Sequence, residues 1–165
     1  MSKASNMAKG GVFTALTILF LYISSIVPIN RFYLLGLASC IIPLSIIWTN
    51  VRNSVLVYLS SGLLSILFGF RGSALAYIIF FGLYGFIKYY VEKLRKAPLE
   101  FVLKFTFFNL CLFLLYFLYN LFSFGLPKMN IPIYYVVIVL QLIFIIYDYA
   151  LTMFISYVNR KLIIK

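Results

Sequence analysis

Residues 101–124 read FVLKFTFFNLCLFLLYFLYNLFSF and carry a single charged side chain, Lys104. A helix needs about 20 predominantly apolar residues to cross a bilayer core, so this stretch is long enough to span it. The whole chain has the same character: 65% of its 165 residues are hydrophobic, 10% are charged and the mean hydropathy is +1.09. These values lie far outside those of soluble domains. The sequence therefore predicts an integral membrane protein.

The remaining apolar runs follow the same pattern and are separated by short polar, glycine- or proline-containing stretches. Pro43 falls inside one run and predicts a kink there. Residues 50–53 and 71–73 are predicted as tight turns, and the hydrophilic stretch 91–100 must lie outside the hydrocarbon. We expect an all-α integral membrane protein in which residues 1–165 form a single transmembrane domain. The predicted helices 1 to 6 are about 11–29, 32–49, 54–70, 74–90, 101–124 and 131–157.

The chain lacks the residues that most enzyme chemistry requires. It has no histidine, and its only acids are Glu92, Glu100 and Asp148. Ser–His–Asp catalysis, His-containing zinc sites and two-aspartate intramembrane proteolysis are therefore excluded. No G-x-x-x-x-G-K-[ST] motif is present to bind ATP, and Cys40 and Cys111 lie in apolar segments, where a thiol usually acts as a small buried hydrophobe. We expect no catalytic residue, no metal and no cofactor.

The positive charge is distributed as membrane topology requires. Fourteen Lys and Arg against three acids give a net charge of +11, which in a soluble protein would suggest nucleic acid. Here every basic residue except Arg31, Arg71 and Lys128 falls near the termini, after helix 2 or around the loop after helix 4. Six spans put these regions on one side, and Lys and Arg accumulate on the cytoplasmic side. We therefore expect cytoplasmic termini, a lipid bilayer as partner and no nucleic acid.

Small residues recur along one face of helix 1. They are Ala4, Ala8, Gly11 and Ala15, and their spacings of four, three and four positions place them on one side of a helix. In a bilayer such a face lets another helix approach closely. Two interpretations remain open: the face packs inside this chain, or it docks on a separate membrane protein.

These features resemble a known family of membrane subunits. The residues that carry the resemblance are Ala4-Ser5-Asn6-Met7-Ala8, Gly11-Val12-Phe13-Thr14-Ala15, Pro43 and Phe81-Gly82-Leu83-Tyr84-Gly85. With them, the chain looks like the substrate-binding S component of energy-coupling factor vitamin transporters. The resemblance implies that the helix 1 face docks on a transmembrane coupling subunit that two ATPases drive. The general fold is also similar to that of MreD, a family of cell-shape scaffolds.

A binding subunit would load its small-molecule ligand from the outer half of the bundle, where aromatic walls with a few polar groups suit a pocket. The candidate ligand-binding residues are Arg31, Arg71, Tyr77, Tyr116, Asn120, Tyr134 and Gln141. Basic residues without acids beside them would favour an anionic solute. The alternative is structural, because Tyr belongs at membrane interfaces, amides join helices, and Arg side chains reach lipid head groups.

Asp148 is the only acid inside a predicted span, and an acid there is costly enough to need a partner. The helical rise places it about 25 Å from the start of helix 6, which is near the cytoplasmic edge of the hydrocarbon. Lys104, one turn into helix 5, lies at a similar depth. We predict a structural ion pair between Lys104 and Asp148, because a proton relay would need further acids or histidines.

Two functions remain open on these grounds. The first is a multi-pass subunit of the bacterial inner (plasma) membrane that binds a vitamin-like micronutrient for uptake and has no ATPase of its own. The second is a non-catalytic membrane scaffold such as an MreD-like cell-shape protein. The S-component resemblance favours the first.

The topology can be tested by cysteine labelling in intact cells. In a background without Cys40 and Cys111, Lys96→Cys should be shielded from a membrane-impermeant maleimide, whereas Lys128→Cys should react, because the two positions are predicted on opposite sides of the membrane. Permeabilised cells give the control for reactivity. Labelling of both positions from outside would exclude six spans with internal termini.

Overall fold

The computed structural model of the protein describes residues 3–27, 29–94, 96–121 and 133–163. Within these ranges the chain forms helices joined by short turns and contains no strand, which confirms the predicted all-α class. The six helices are α1 (Lys3–Ile26), α2 (Arg31–Trp48), α3 (Val51–Leu67), α4 (residues 71–92), α5 (Ala97–Leu121) and α6 (Ile133–Ile163).

Five of these helices are long and apolar enough to cross a bilayer, as judged over the described ranges: α1, α2, α4, α5 and α6. Helix α3 is apolar but has only 17 residues. Its length is about 25 Å, against a hydrocarbon core about 30 Å thick. The apolar helices indicate a multi-pass membrane protein.

Helices α1 and α6 extend beyond the apolar runs that predicted them. Helix α1 begins at Lys3 rather than near residue 11, and α6 continues to Ile163 rather than ending near residue 157. Hydropathy marks only the apolar part of a helix, whereas Lys, Arg and Ala are good helix formers and continue the backbone hydrogen bonds past it. The apolar run is therefore shorter than the helix that contains it.

The reversal between α3 and α4 lies at residues 68–70, before the predicted turn at residues 71–73. Gly69 has a φ of 75°, which glycine adopts without a Cβ clash. Its N–H donates to the carbonyl of Ile66 at 2.9 Å, and the N–H of Phe70 donates to the carbonyl of Ser65 at 3.0 Å. This pair of bonds is the Schellman motif that ends many helices. Residues 71–73 form the first turn of α4 instead.

The chain divides into two compact units, Met1–Phe107 and Phe108–Lys165. In the first unit, residues from α1 to α4 share a hydrophobic core, which contains Phe13, Ile41, Ile42, Ile46, Val57 and Phe86. In the second unit, Phe108 of α5 and Phe144 of α6 stack with their ring centroids 4.3 Å apart. A single transmembrane domain stays a prediction.

Helix α4 approaches α2 and α3 closely through two glycines. A Cβ on Gly85 would lie 2.9 Å from Cδ of Pro43, inside α2. A Cβ on Gly82 would lie 2.6 Å from Cδ2 and Cε2 of Tyr58, in α3. Separations below 3.0 Å require a neighbour to shift, so both positions have room for glycine alone.

A π-helical segment interrupts α4. The segment Tyr77–Phe81 separates the α-helical segments Arg71–Ala76 and Gly82–Glu92. The hydroxyl of Tyr58 donates to the carbonyl of Ile78 at 2.8 Å within it. A π turn places one more residue in the turn than an α turn does, and such segments are frequent at functional sites.

The fit at Gly82 predicts a cost for a single methyl group. Gly82→Ala should destabilise the detergent-purified protein by about 1–3 kcal/mol, because the Cβ overpacks a Tyr58 ring whose hydroxyl is already bonded. The matched control is Gly11→Ala, where a Cβ meets nothing within 4 Å and only the better helix propensity of Ala acts. The measurement is unfolding of both variants by SDS titration. Equal stability of the two variants would contradict the close approach of α4 to α3.

Candidate functional site

The small-residue face of α1 is exposed in the first unit. All four of its members are accessible: Ala4, Ala8, Gly11 and Ala15. Helix α1 is instead packed into its unit through other positions, among them Phe13, Thr17 and Leu21, which are buried. Within the described residues of the first unit, the other helices of that unit leave the face exposed.

Gly11 and Ala15 border a groove of about 430 Å³ between α1 and α3. From α3, Leu56 and Leu64 contribute apolar side chains. Thr14 also lines the groove, and its hydroxyl donates to the carbonyl of Gly10 at 3.0 Å, so this polar group is satisfied within its own helix. A surface of small residues and internally bonded hydroxyls suits the close approach of another membrane helix.

Asn53 joins α3 to α1 at this groove. Its Nδ2 donates to the backbone carbonyl of Asn6 at 2.9 Å, and its side chain is 8% exposed. Asn50 caps α3, because its Oδ1 accepts from the N–H of Asn53 at 2.8 Å. Residues 50–53 were predicted as a tight turn, but Val51 already begins α3 and Asn53 is helical. The sequence analysis therefore missed Asn53 as a buried link between two helices.

Arg31 is the first residue of α2, and its side chain connects α2 to α4. The Nε of Arg31 donates to Oγ of Ser73 at 3.2 Å. Ser73 is fully buried in the first turn of α4. The bond places the beginnings of α2 and α4 together. The side chain of Arg71 lies outside what the structure describes.

Tyr77 lies in the core of the first unit. It is completely buried, and its hydroxyl is 3.0 Å from Oγ of Ser61. Its ring is tilted against that of Tyr58, with 6.1 Å between the centroids. A ligand could reach Tyr77 only if the helices that enclose it moved apart.

The other predicted ligand-binding residues belong to the second unit. Gln141 of α6 places its Nε2 3.5 Å from Oδ1 of Asn109 in α5, a distance beyond that of ordinary hydrogen bonds. The ring of Tyr116 is exposed. The side chains of Asn120 and Tyr134 lie outside the described residues. The assignment of these four residues to a ligand stays a prediction.

Three charged side chains meet where α4 ends and α5 begins. The Nζ of Lys88 lies 2.8 Å from Oε1 of Glu92, and the Nζ of Lys104 lies 3.2 Å from the same oxygen. Lys88 is fully buried and Lys104 nearly so, whereas Glu92 is 30% exposed on its side chain. The shared carboxylate fastens the first turns of α5 to α4. The predicted pair of Lys104 with Asp148 would join the two units and stays a prediction.

The described residues contain no group of three or more His, Cys, Asp or Glu side chains arranged to hold a metal ion. Cys111 is buried and Cys40 is partly buried, and neither is part of a disulfide bond in the structure.

No protein-family model, no curated protein and no solved structure matches this chain.

The shared carboxylate predicts the effect of a neutral substitution. Glu92→Gln should lower the free energy of unfolding by about 2–3 kcal/mol, because two largely buried ammonium groups lose the negative charge that they contact. This loss is at or below the lower end of the roughly 3–5 kcal/mol that breaking a buried ion pair typically costs, because Glu92 is partly exposed. Glu100→Gln is the matched control, since no ion pair involves Glu100 in the described residues. SDS unfolding of the two variants measures the difference, and an equal loss would contradict the role of Glu92.

Proposed function

We propose that the chain is a multi-pass subunit of the bacterial plasma membrane that captures a vitamin-like micronutrient and delivers it inward while docked on a transmembrane partner. All six helices cross the bilayer in this proposal, and both termini are cytoplasmic. The sequence has no P-loop to bind ATP, and the resemblance to S components implies a partner that two ATPases drive. The observation that supports docking most directly is the exposed small-residue face of α1.

The composition of α1 supports a protein partner over lipid at this face. Val12, Leu16 and Leu19 are also exposed on α1 and offer large side chains to lipid chains. Lipid tails are as apolar as leucine, so small residues gain nothing from facing them. A row of small residues is useful where another backbone must come close. The adjoining groove between α1 and α3 gives such a backbone a place to pack.

The substrate half of the proposal depends on the residues predicted for the outer half of the bundle. Arg31 supports it, because the contact with Ser73 fixes one edge of its guanidinium and leaves the side chain partly accessible. Tyr77 does not support it, because its side chain is completely buried and its hydroxyl already contacts Ser61. The resemblance to S components remains the reason for a vitamin-like class of substrate.

A non-catalytic scaffold is the second candidate. The burial of Tyr77 favours it, because a residue predicted for a ligand pocket serves as core packing instead. A scaffold needs the docking face of α1 but no ligand pocket. Native mass spectrometry separates the two candidates, since a co-purifying small molecule is expected only for the transport subunit.

Docking through α1 predicts a loss of assembly without a loss of stability. The double variant Ala8→Leu and Gly11→Leu should keep the melting temperature of the isolated protein, because both positions are exposed, but it should lose the partner, because the added side chains hold the two backbones apart. The measurement pairs detergent melting with the ATPase activity that co-purifies from native membranes.

The matched control is Val12→Leu, an exposed position on the same turn but outside the small-residue face. It should retain the co-purifying ATPase activity. A large fall in melting temperature for the double variant, or equal ATPase activity with the wild type, would contradict docking at this face.

A further inference from the structure

Arg31 and the buried hydroxyl of Ser73 lie at the end of the helix bundle at which α2 and α4 both begin. Nε of Arg31 donates to Oγ of Ser73 at 3.2 Å, and Ser73 is completely buried in α4. Arginine has five N–H donors in a rigid planar fork. With Nε bonded to a fixed oxygen, the plane of the guanidinium is oriented, and its two Nη groups have four donors that no described residue engages. Arg31 itself is only partly buried, so a solute can reach it.

Nothing in the described part of the chain neutralises this guanidinium. No carboxylate there lies within ion-pair distance of Arg31, whose hydrogen bond goes to a neutral serine. Glu92 contacts Lys88 and Lys104, and the helical rise places it about 28 Å along α4 from Ser73. The first turns of α2 and α4 contain no acidic residue either.

We propose that Arg31, oriented by Ser73, binds an oxyanion carrying a phosphate or a carboxylate group. The two Nη groups offer parallel N–H donors, which match two oxygens of such a group. Asn30 precedes Arg31 in the chain and is exposed, and its side chain makes no capping bond to α2. Ser73 is a positioning residue, because it contacts Arg31 and not the anion.

The oxyanion has two sources with the same chemistry, a free solute or the head group of an anionic phospholipid. If the oxyanion is the transported solute, the assignment rests on the proposed function and names an anionic class of micronutrient. The binding of an oxyanion by Arg31 does not depend on which source supplies it. The experiment therefore offers the protein a free anion and an anionic lipid.

The test measures the melting temperature of the full chain in a neutral detergent while one of two probes is titrated. Inorganic phosphate represents the free solute, and phosphatidylglycerol in the micelle represents the lipid, with phosphatidylcholine as its neutral counterpart. We expect a saturable rise in melting temperature with at least one of the anionic probes. A rise with phosphate identifies a solute site, and a rise with phosphatidylglycerol alone identifies a lipid head-group site.

Three variants test the residues. Arg31→Gln should weaken the apparent affinity at least about tenfold, as expected for loss of a charge-assisted hydrogen bond. Arg31→Lys should weaken it similarly, because a lysine keeps the charge but not the planar fork. Ser73→Ala should weaken it several-fold with the charge intact. The melting temperature without probe reports whether each variant folds.

The control is Arg52→Gln, which removes an exposed arginine of α3 and should leave the affinity unchanged. The proposal is overturned if neither anionic probe raises the melting temperature, if Arg52→Gln weakens binding as much as Arg31→Gln, or if Ser73→Ala and Arg31→Lys both bind like the wild type. Assembly with the ATPase partner is measured separately. Failure here with assembly intact would overturn the oxyanion site alone, whereas binding without assembly would overturn the proposed function.

Discussion

The contact between Tyr58 and α4 is the interaction on which the rest of the first unit depends. The ring of Tyr58 lies where any Cβ on Gly82 would be, and its hydroxyl bonds the carbonyl of Ile78. One side chain thus fills the space beside the helix and satisfies the π turn within it. Around that turn, Tyr77 is completely buried, with its hydroxyl 3.0 Å from Oγ of Ser61. The same contact of Tyr58 with α4 therefore determines both the path of α4 and the polar contacts of the core.

A second constraint is that polar groups surrounded by hydrocarbon must find partners inside the protein. Buried hydroxyls meet it locally: Thr17 donates to the carbonyl of Phe13 at 2.8 Å, one turn earlier in the same helix. The amide of Asn53 meets it between helices, through the carbonyl of Asn6. Side chains used in this way hold the fold together. Arg31 differs, because among the described residues only its Nε has a hydrogen-bond partner.

The sequence predicts the number and class of the helices well, because a segment in hydrocarbon must be apolar and must satisfy its backbone hydrogen bonds within a helix. It predicts their ends less well. Gly69 does carry a signal, since glycine after an apolar run is typical of a helix end. The apolar run nevertheless continues to residue 70, so hydropathy alone predicts a helix that ends too late. The spacing of Lys88 and Glu92 also places them on one helix face. The contact of Glu92 with Lys104 depends on the turn between α4 and α5, and the apolar segment Tyr77–Phe81 has no local feature that distinguishes a π turn from an α turn.

For the candidate sites too, the spacing of residues shows which of them share a helix face, but what that face contacts depends on the neighbouring helices. A row of small residues is compatible with internal packing and with docking, so the spacing of Ala4, Ala8, Gly11 and Ala15 leaves both open. All four residues are exposed in the structure, which is compatible with docking, and the choice between the two interpretations stays a prediction. The row occupies the first half of α1, whereas Arg31 begins the helix that follows α1, and the helical rise separates Ala4 from Ile26 by about 33 Å. Because α1 is a continuous helix over that distance, the proposed docking face and the proposed oxyanion site lie near opposite ends of the first unit. In the proposed function, a partner that packs along the first half of α1 would therefore leave the approach to Arg31 open, so that capture of a ligand would not compete with docking.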